Sequence, residues 1–263
     1  MPHQEIIPPL ALRDRIKCFW YDSKEPGEQP ADFEVVPDGY AEIIFYFGGP
    51  CSLVTEGGQQ LLPSPFMVGL LHRPVRFYAE HRLEIIGIRC FPWTVFDLLG
   101  LTPGPAGVRR MEHPIARLQA PLAECLRAGR PAEALALAEQ YFLSAPVPAS
   151  LDRLLGKAGK AMQAAHGTLP VRQVAAAAHA TVRTLERKFK QSAGHTVKNV
   201  SGLMRFEQVR NYLWQHPDAN LAGLAQELGY TDQAHLSREF KRYSGTTPAA
   251  FARNVRNGTG NRL

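Results

Sequence analysis

Apolar positions change their period partway along the chain. In the C-terminal part, Val171, Val174, Ala175 and Ala178 recur at i, i+3, i+4 and i+7, and Leu221, Leu224, Ala225 and Leu228 repeat the same spacing. That spacing keeps one face of a helix apolar, so each set predicts an amphipathic helix. A short turn follows, His179-Ala180 in the first copy and Gly229-Tyr230 in the second, which has one extra residue before its next helix. Thr181 and Asp232 then stand at equivalent places as N-caps, because their side-chain oxygens can accept a backbone N–H. Leu185 and Phe189, or Leu236 and Phe240, follow at i and i+4 as the buried face of that next helix. Each copy therefore predicts helix, short turn, helix, which is the helix-turn-helix arrangement.

The front of the chain has a different pattern. Residues 33–36, 41–48, 65–71, 75–80 and 83–91 are short runs of β-branched and aromatic residues, punctuated by Pro-Asp-Gly, Gly-Gly-Pro and Gly-Gly. Such runs predict strands, and several of them suggest a sandwich or barrel. From Trp93 helical signals appear: 93–100 ended by Gly100, 114–129 closed by Gly129, and 131–143 opened by Pro131. These are ordinary start and stop residues. "SAPVPAS" (144–150) reads as a linker. The expected fold class is α+β with two domains: a strand-rich domain with trailing helices at 1–143, the linker 144–150, and an all-α domain of two helix-turn-helix units at 151–263.

Charge sharpens this division. Residues 1–150 hold 13 Lys+Arg against 17 Asp+Glu, whereas residues 151–263 hold 17 against 7. A basic helical half fits a polyanion such as nucleic acid, and a solvated basic surface fits equally well on charge alone. The 263-residue length and 45% hydrophobic content allow two ordinary cores. No stretch of ~18 apolar residues predicts a membrane span. "MPHQEIIPPLALRDRIK" lacks a basic start followed by an apolar run, so the expectation is a cytoplasmic protein without a membrane partner. Cys18, Cys51, Cys90 and Cys125 are too widely spaced for a zinc or redox motif and read as reduced structural thiols.

The second helices of the two copies are "HATVRTLERKFKQSAG" (179–194) and "YTDQAHLSREFKRYSG" (230–245), both with Leu-x-Arg-x-Phe-Lys and a Gly four residues later. With the Leu and Phe inward, ~100° per residue turns Arg183, Thr184 and Arg187 outward in the first. It does the same for Ala234, His235, Arg238 and Lys241 in the second, with Gln233 at the edge. Arg can donate two hydrogen bonds to guanine, Gln can pair with adenine, and Ala or Thr can touch a thymine methyl. The plainer reading makes them surface side chains of a helical bundle, with Arg187 and Arg238 in local salt bridges. Duplication of an Arg on the same exposed face favours DNA reading. Between the copies, residues 196–215 are long enough for a helix of ~30 Å. Successive major-groove faces lie ~34 Å apart, so one chain can place two reading helices one DNA turn apart.

The paired units, "MRFEQVRNYL" in the connecting helix and "LAQELGYTDQAHLSREFKRYSGTTPAAF" in the second unit together resemble the DNA-binding region of AraC/XylS-type transcription regulators, over residues ~151–254. The resemblance implies base-contacting positions at Arg183, Thr184 and Arg187, and at Gln233, Ala234, His235 and Arg238. It implies double-stranded DNA as partner, with a small-molecule effector, RNA polymerase and a second copy of the chain as further candidates, and no cofactor. "AAAAHA" in the first copy departs from the family's pattern by its small side chains, which puts that copy's packing in doubt.

Residues ~10–110 are similar to the strand-rich front domains of such regulators, which implies a cupin-like or jelly-roll-related sensor or dimerisation domain. His72, His81 and His113 contain no His-x-His pair and read as isolated histidines rather than metal ligands. Trp20, Tyr21, Phe45, Tyr46, Phe47, Phe77, Tyr78 and Trp93 could line an apolar pocket or simply form the strand core. Arg73, Arg76 and Arg89 are candidates for an anionic ligand or plain surface charges. The stripe Leu135, Ala138 and Phe142 can pack on its own domain or on a second subunit. Two other classes stay open: an architectural DNA-binding protein, and a cupin-like enzyme fused to a DNA-binding domain. Against catalysis, the sequence has no nucleophile elbow, P-loop, dinucleotide fingerprint or four-cysteine cluster.

Overall fold

The computed structural model describes residues 3–24, 31–101, 107–145 and 153–257. Most of the 144–150 linker lies outside the described residues. The chain divides into a strand-rich unit and a helical unit. Val35–Gly39 and Leu71–Pro74 cluster with the helices rather than with the strands that flank them in sequence.

The strand-rich unit begins with β1 (Gln4–Ile6), β2 (Ile16–Lys24), β3 (Ala31–Val35), β4 (Ala41–Gly48), β5 (Cys51–Thr55) and β6 (Gly58–Leu61). It continues with β7 (Phe66–Val68), β8 (Val75–Ala79), β9 (Leu83–Cys90), helix α1 (Val95–Leu99) and β10 (Val108–Arg110). A 3-10 turn (Pro114–Leu118), α2 (Gln119–Arg127) and α3 (Pro131–Ser144) complete it. One sheet has six strands in the order β1-β2-β9-β4-β7-β10, and the other has four in the order β3-β8-β5-β6. The long central pairs are antiparallel, with Ile43 opposite Ile88 and Phe45 opposite Ile86.

Two packing layers follow from side-chain alternation. Helix α3 lies on the six-stranded sheet, and its Phe142 ring sits 6.1 Å from Phe19 of β2. Its stripe Leu135, Ala138 and Phe142 is buried within this unit, which decides between the two readings of that stripe. The two sheets meet where Phe77 stacks on Phe66 at 5.9 Å; Phe33 stacks on Phe77 at 5.6 Å within one sheet, and Tyr46 tilts against Phe66 at 6.2 Å within the other. Tyr21, Phe45, Phe77 and Trp93 are buried, while Trp20, Tyr46, Phe47 and Tyr78 are half-buried. All four cysteines are free and buried, and burial raises the thiol of Cys18 to about 12 and that of Cys51 to about 11. Such thiols carry little thiolate, so they are poor nucleophiles and metal ligands.

The helical unit comprises α4 (Arg153–Ala164), α5 (Val171–Ala177), α6 (Val182–Ala193), α7 (Val197–Gln215), α8 (Leu221–Glu227), α9 (Gln233–Ser244) and α10 (Pro248–Arg256). Its core draws on the stripes read from the sequence: Val174, Ala175, Leu185, Phe189, Leu224, Ala225, Leu236 and Phe240 are all buried. In the first copy Ala178 is buried too, so the small side chains of "AAAAHA" still supply a packed face. Helix α7 carries the hub. Its Phe206 ring lies 5.1 Å from Phe240 and 5.3 Å from Tyr243 of α9, and Phe240 in turn meets Phe251 of α10 at 5.5 Å.

Helix ends explain the repeated motif. Thr181 Oγ1 accepts the N–H of Thr184 at 3.1 Å, and Asp232 Oδ1 accepts that of His235 at 2.6 Å. At the other end Gly194 (φ 72°) and Gly245 (φ 75°) take the left-handed conformation, and their N–H groups donate to the carbonyls of Lys190 and Lys241. A side chain there would meet the cost of left-handed backbone, which is why both copies place Gly four residues after the Lys. Thr196 and Thr247 then cap α7 and α10 in the same manner. Thr181→Ala and Asp232→Ala should each lower stability by ~0.5–2 kcal/mol, the usual worth of an N-cap oxygen. Urea unfolding of the full chain checks this, and a change below the error of the fit at both sites would contradict it.

Candidate nucleic-acid interface

The second helix of each copy presents one exposed face at its N-terminal end. On α6, Arg183 and Arg187 are exposed and Thr184 is half-buried, while Leu185 and Phe189 point into the core. On α9, Gln233, Ala234, Arg238 and Lys241 are exposed and His235 is half-buried, while Leu236 and Phe240 point inward. The structure therefore gathers the sequence-predicted residues into two patches, one per copy. Among the described residues, no carboxylate lies within ion-pairing distance of Arg183, Arg187 or Arg238. The local salt bridges weighed for Arg187 and Arg238 are thus not formed with described residues, and their guanidinium donors face solvent.

Two of the candidates are held by the turn that precedes their helix. Thr184 receives a hydrogen bond from the Thr181 hydroxyl at 3.0 Å. The His235 ring stands edge-on to Tyr230 at 5.3 Å, and its Nδ1 accepts the N–H of Thr231 at 3.4 Å. With Nδ1 accepting, Nε2 is left as the donor that the ring offers to the second patch. Val182, at the first position of α6, is a large apolar side chain left exposed beside Arg183. Sequence reading missed it because an exposed valine breaks no helical pattern.

The front-unit candidates separate. Arg76 pairs with Asp32, and Arg89 donates from Nε to Glu42 Oε1 at 2.6 Å, so neither is a free anion ligand. His113 caps the 3-10 turn through Nδ1, His81 is exposed, and His72 packs against His195 with ring centroids 4.7 Å apart in the helical unit. Burial, then the neighbouring His72, lowers the His195 imidazole to about 4. Among the described residues no group of three His, Cys, Asp or Glu side chains could hold a metal ion. Nor is any described helix long and apolar enough to cross a membrane.

Paired, capped helices with exposed arginines on a basic unit form two helix-turn-helix units, an arrangement suited to DNA binding. Comparison with known proteins specifies it further. A helix-turn-helix domain family matches residues 174–254, and a domain family of unknown function, DUF6597, matches residues 4–106. The C-terminal match is to a helix-turn-helix domain. No curated protein sequence matches the chain. ToxT from Vibrio cholerae O395, solved with (E)-4-(8-methylnaphthalen-1-yl)but-3-enoic acid, is 8% identical over 90% of this chain and 99% of its own, with a TM-score of 0.50. The two chains share a fold, strand-rich in front and helical behind. The DNA-binding domain of AdpA, solved with a target DNA, is 25% identical over 41% of this chain and 99% of its own, with a TM-score of 0.37. The C-terminal domain of AraT from Geobacillus stearothermophilus is 21% identical over 43% of this chain and 92% of its own, with a TM-score of 0.37.

Proposed function

We propose that this regulator recognises a specific DNA sequence by placing α6 and α9 in successive major-groove faces on one side of the duplex. Arg183, Thr184 and Arg187 read one half-site, and Gln233, Ala234, His235 and Arg238 read the other. The observation that carries this is the duplicated arginine, Arg187 and Arg238, exposed and unpaired among described residues on the same face of both helices. Bidentate donation to guanine is the chemistry such a side chain is suited to. The 19-residue α7 between the units spans ~28 Å at 1.5 Å per residue, commensurate with the ~34 Å between groove faces.

Repeated enrichment of a random duplex library on the full-length protein tests this. The expected product is a motif with two conserved blocks about ten base pairs apart. Enrichment of no motif would favour the architectural alternative, in which binding is sequence-tolerant and steeply salt-dependent.

The domain division at 144–150 belongs to the same proposal. Residues 151–263 alone should fold and retain DNA binding, as measured by circular dichroism and gel shift. An unfolded fragment would move the boundary and bring Val35–Gly39 and Leu71–Pro74 into the DNA-binding domain. For the strand-rich unit we propose effector sensing. A small apolar acid such as the one in the ToxT structure is a first probe, and the aromatic stack between the sheets is the chemistry that suits it. RNA polymerase and a second copy of the chain are proposed partners in the cytoplasm, and no catalytic step is assigned.

A further inference from the structure

The two helix-turn-helix copies are tied to α7 in different ways. Glu186 of α6 accepts the N–H of Val197 at 3.2 Å, which fixes the first reading helix to the start of α7. The second is fixed by Arg205, in the middle of α7. Arg205 Nη1 donates to the carbonyl of Gly167 at 2.9 Å, in the turn that leads into the first copy. Its Nη2 donates to Glu239 of α9, at 3.1 Å to Oε1 and 3.4 Å to Oε2. Its guanidinium also lies 5.2 Å over the ring of Tyr230, in the turn before α9. Both ionic side chains are largely buried, at 14% and 15% exposure.

Gly167 is shaped for this approach. It is left-handed (φ 75°), and a Cβ there would come 2.3 Å from the Ser201 carbonyl of α7. The turn thus lies against α7 where Arg205 reaches it. One guanidinium therefore joins the first copy, α7, the turn before α9 and α9 itself. The first copy has no counterpart, since Lys188 stands where the second has Glu239.

We propose that Arg205 is a positioning residue that sets the orientation of α9 relative to the first unit, and so the spacing between half-sites that the protein accepts. This rests on the two-helix reading proposed above. Glu239 is the neighbour of Arg238 in α9, so a shift of one carries the other. Helix α9 has 12 residues, ~18 Å long. A tilt of ~10° about one end moves the other by ~3 Å, which is close to the rise of one base pair. A planar guanidinium fork resists such a tilt better than a lysine, because its donors have fixed directions.

The test uses the full-length protein and the motif enriched on it. Wild type, Glu239→Gln, Arg205→Lys and Arg205→Met would be titrated against that site and against sites with one base pair inserted or removed between the blocks. Wild type should prefer its own spacing by about 10-fold or more, because a wrong spacing displaces base contacts of one block. Glu239→Gln and Arg205→Lys should flatten that preference to within about 3-fold. They should still discriminate each block from its scrambled form. Variants that lose affinity equally at every spacing, with the wild-type profile intact, would show the network to be structural only and overturn the proposal. Should Arg205→Met fail to fold, the near-isosteric Glu239→Gln still decides. A wild type that enriches no motif refutes the two-helix reading itself, and that result is distinct from a motif whose spacing preference the variants keep.

Discussion

Alanine at both Arg187 and Arg238 is expected to abolish most sequence preference while leaving the fold intact. Each side chain is exposed and has no described ion-pair partner, so its removal leaves no buried group unsatisfied and costs little stability. Each bidentate arginine–guanine contact is worth ~1–3 kcal/mol of discrimination. The two lie on separate helices with no shared partner, so the losses should add to ~2–6 kcal/mol. That corresponds to roughly 30-fold to more than 10⁴-fold in affinity for the cognate site. Binding to scrambled DNA should fall far less, because the other basic side chains still meet phosphates. Titration of cognate and scrambled duplexes with the double variant checks this. Retained selectivity would mean that another face reads the bases.

Phe240→Ala is the second large effect, and it acts on stability. Phe240 is 1% exposed and stands edge-to-face with both Phe206 and Phe251, at 5.1 and 5.5 Å. Phe-to-Ala changes at such sites cost ~3–5 kcal/mol, from lost burial and the cavity left behind. The loss should appear in thermal unfolding of the helical unit. Because Phe240 seats α9, DNA recognition at the second half-site should weaken before global unfolding. A cost under ~1 kcal/mol would show that the cluster collapses around the gap and does not hold α9.

What could be read from the sequence follows from how local each signal is. The helix stripes, the Thr181 and Asp232 caps and the two exposed patches depend on residues within one or two turns, and the structure places them as the spacing implied. Strands with both faces covered, such as Ala41–Gly48 and Leu83–Cys90, were equally plain, because nearly every residue in them is apolar. The unpredicted strands lack that signal. β2 is irregular between Ile16 and Cys18, which breaks its period of two. β6 is exposed at every position and β1 has three residues. The segment at 114–129 opens as a 3-10 turn rather than a helix, with His113 as its cap. Arg205 sits inside a quoted motif, yet its partners Gly167 and Glu239 are 38 and 34 residues away. Only the folded chain shows that they converge. The stripe on α3 had two readings because a buried face looks the same whether its cover is intra- or intermolecular.

The central claim is that this protein reads sequence through two helices of one chain. Fluorescence anisotropy of the full-length protein tests it most directly. The titration would use duplex DNA from upstream of its own gene and a scrambled duplex of equal length, across a salt series. The expected result is a preference of ~10³-fold or more that persists near physiological salt. Equal affinity for both duplexes, lost together as salt rises, would contradict it.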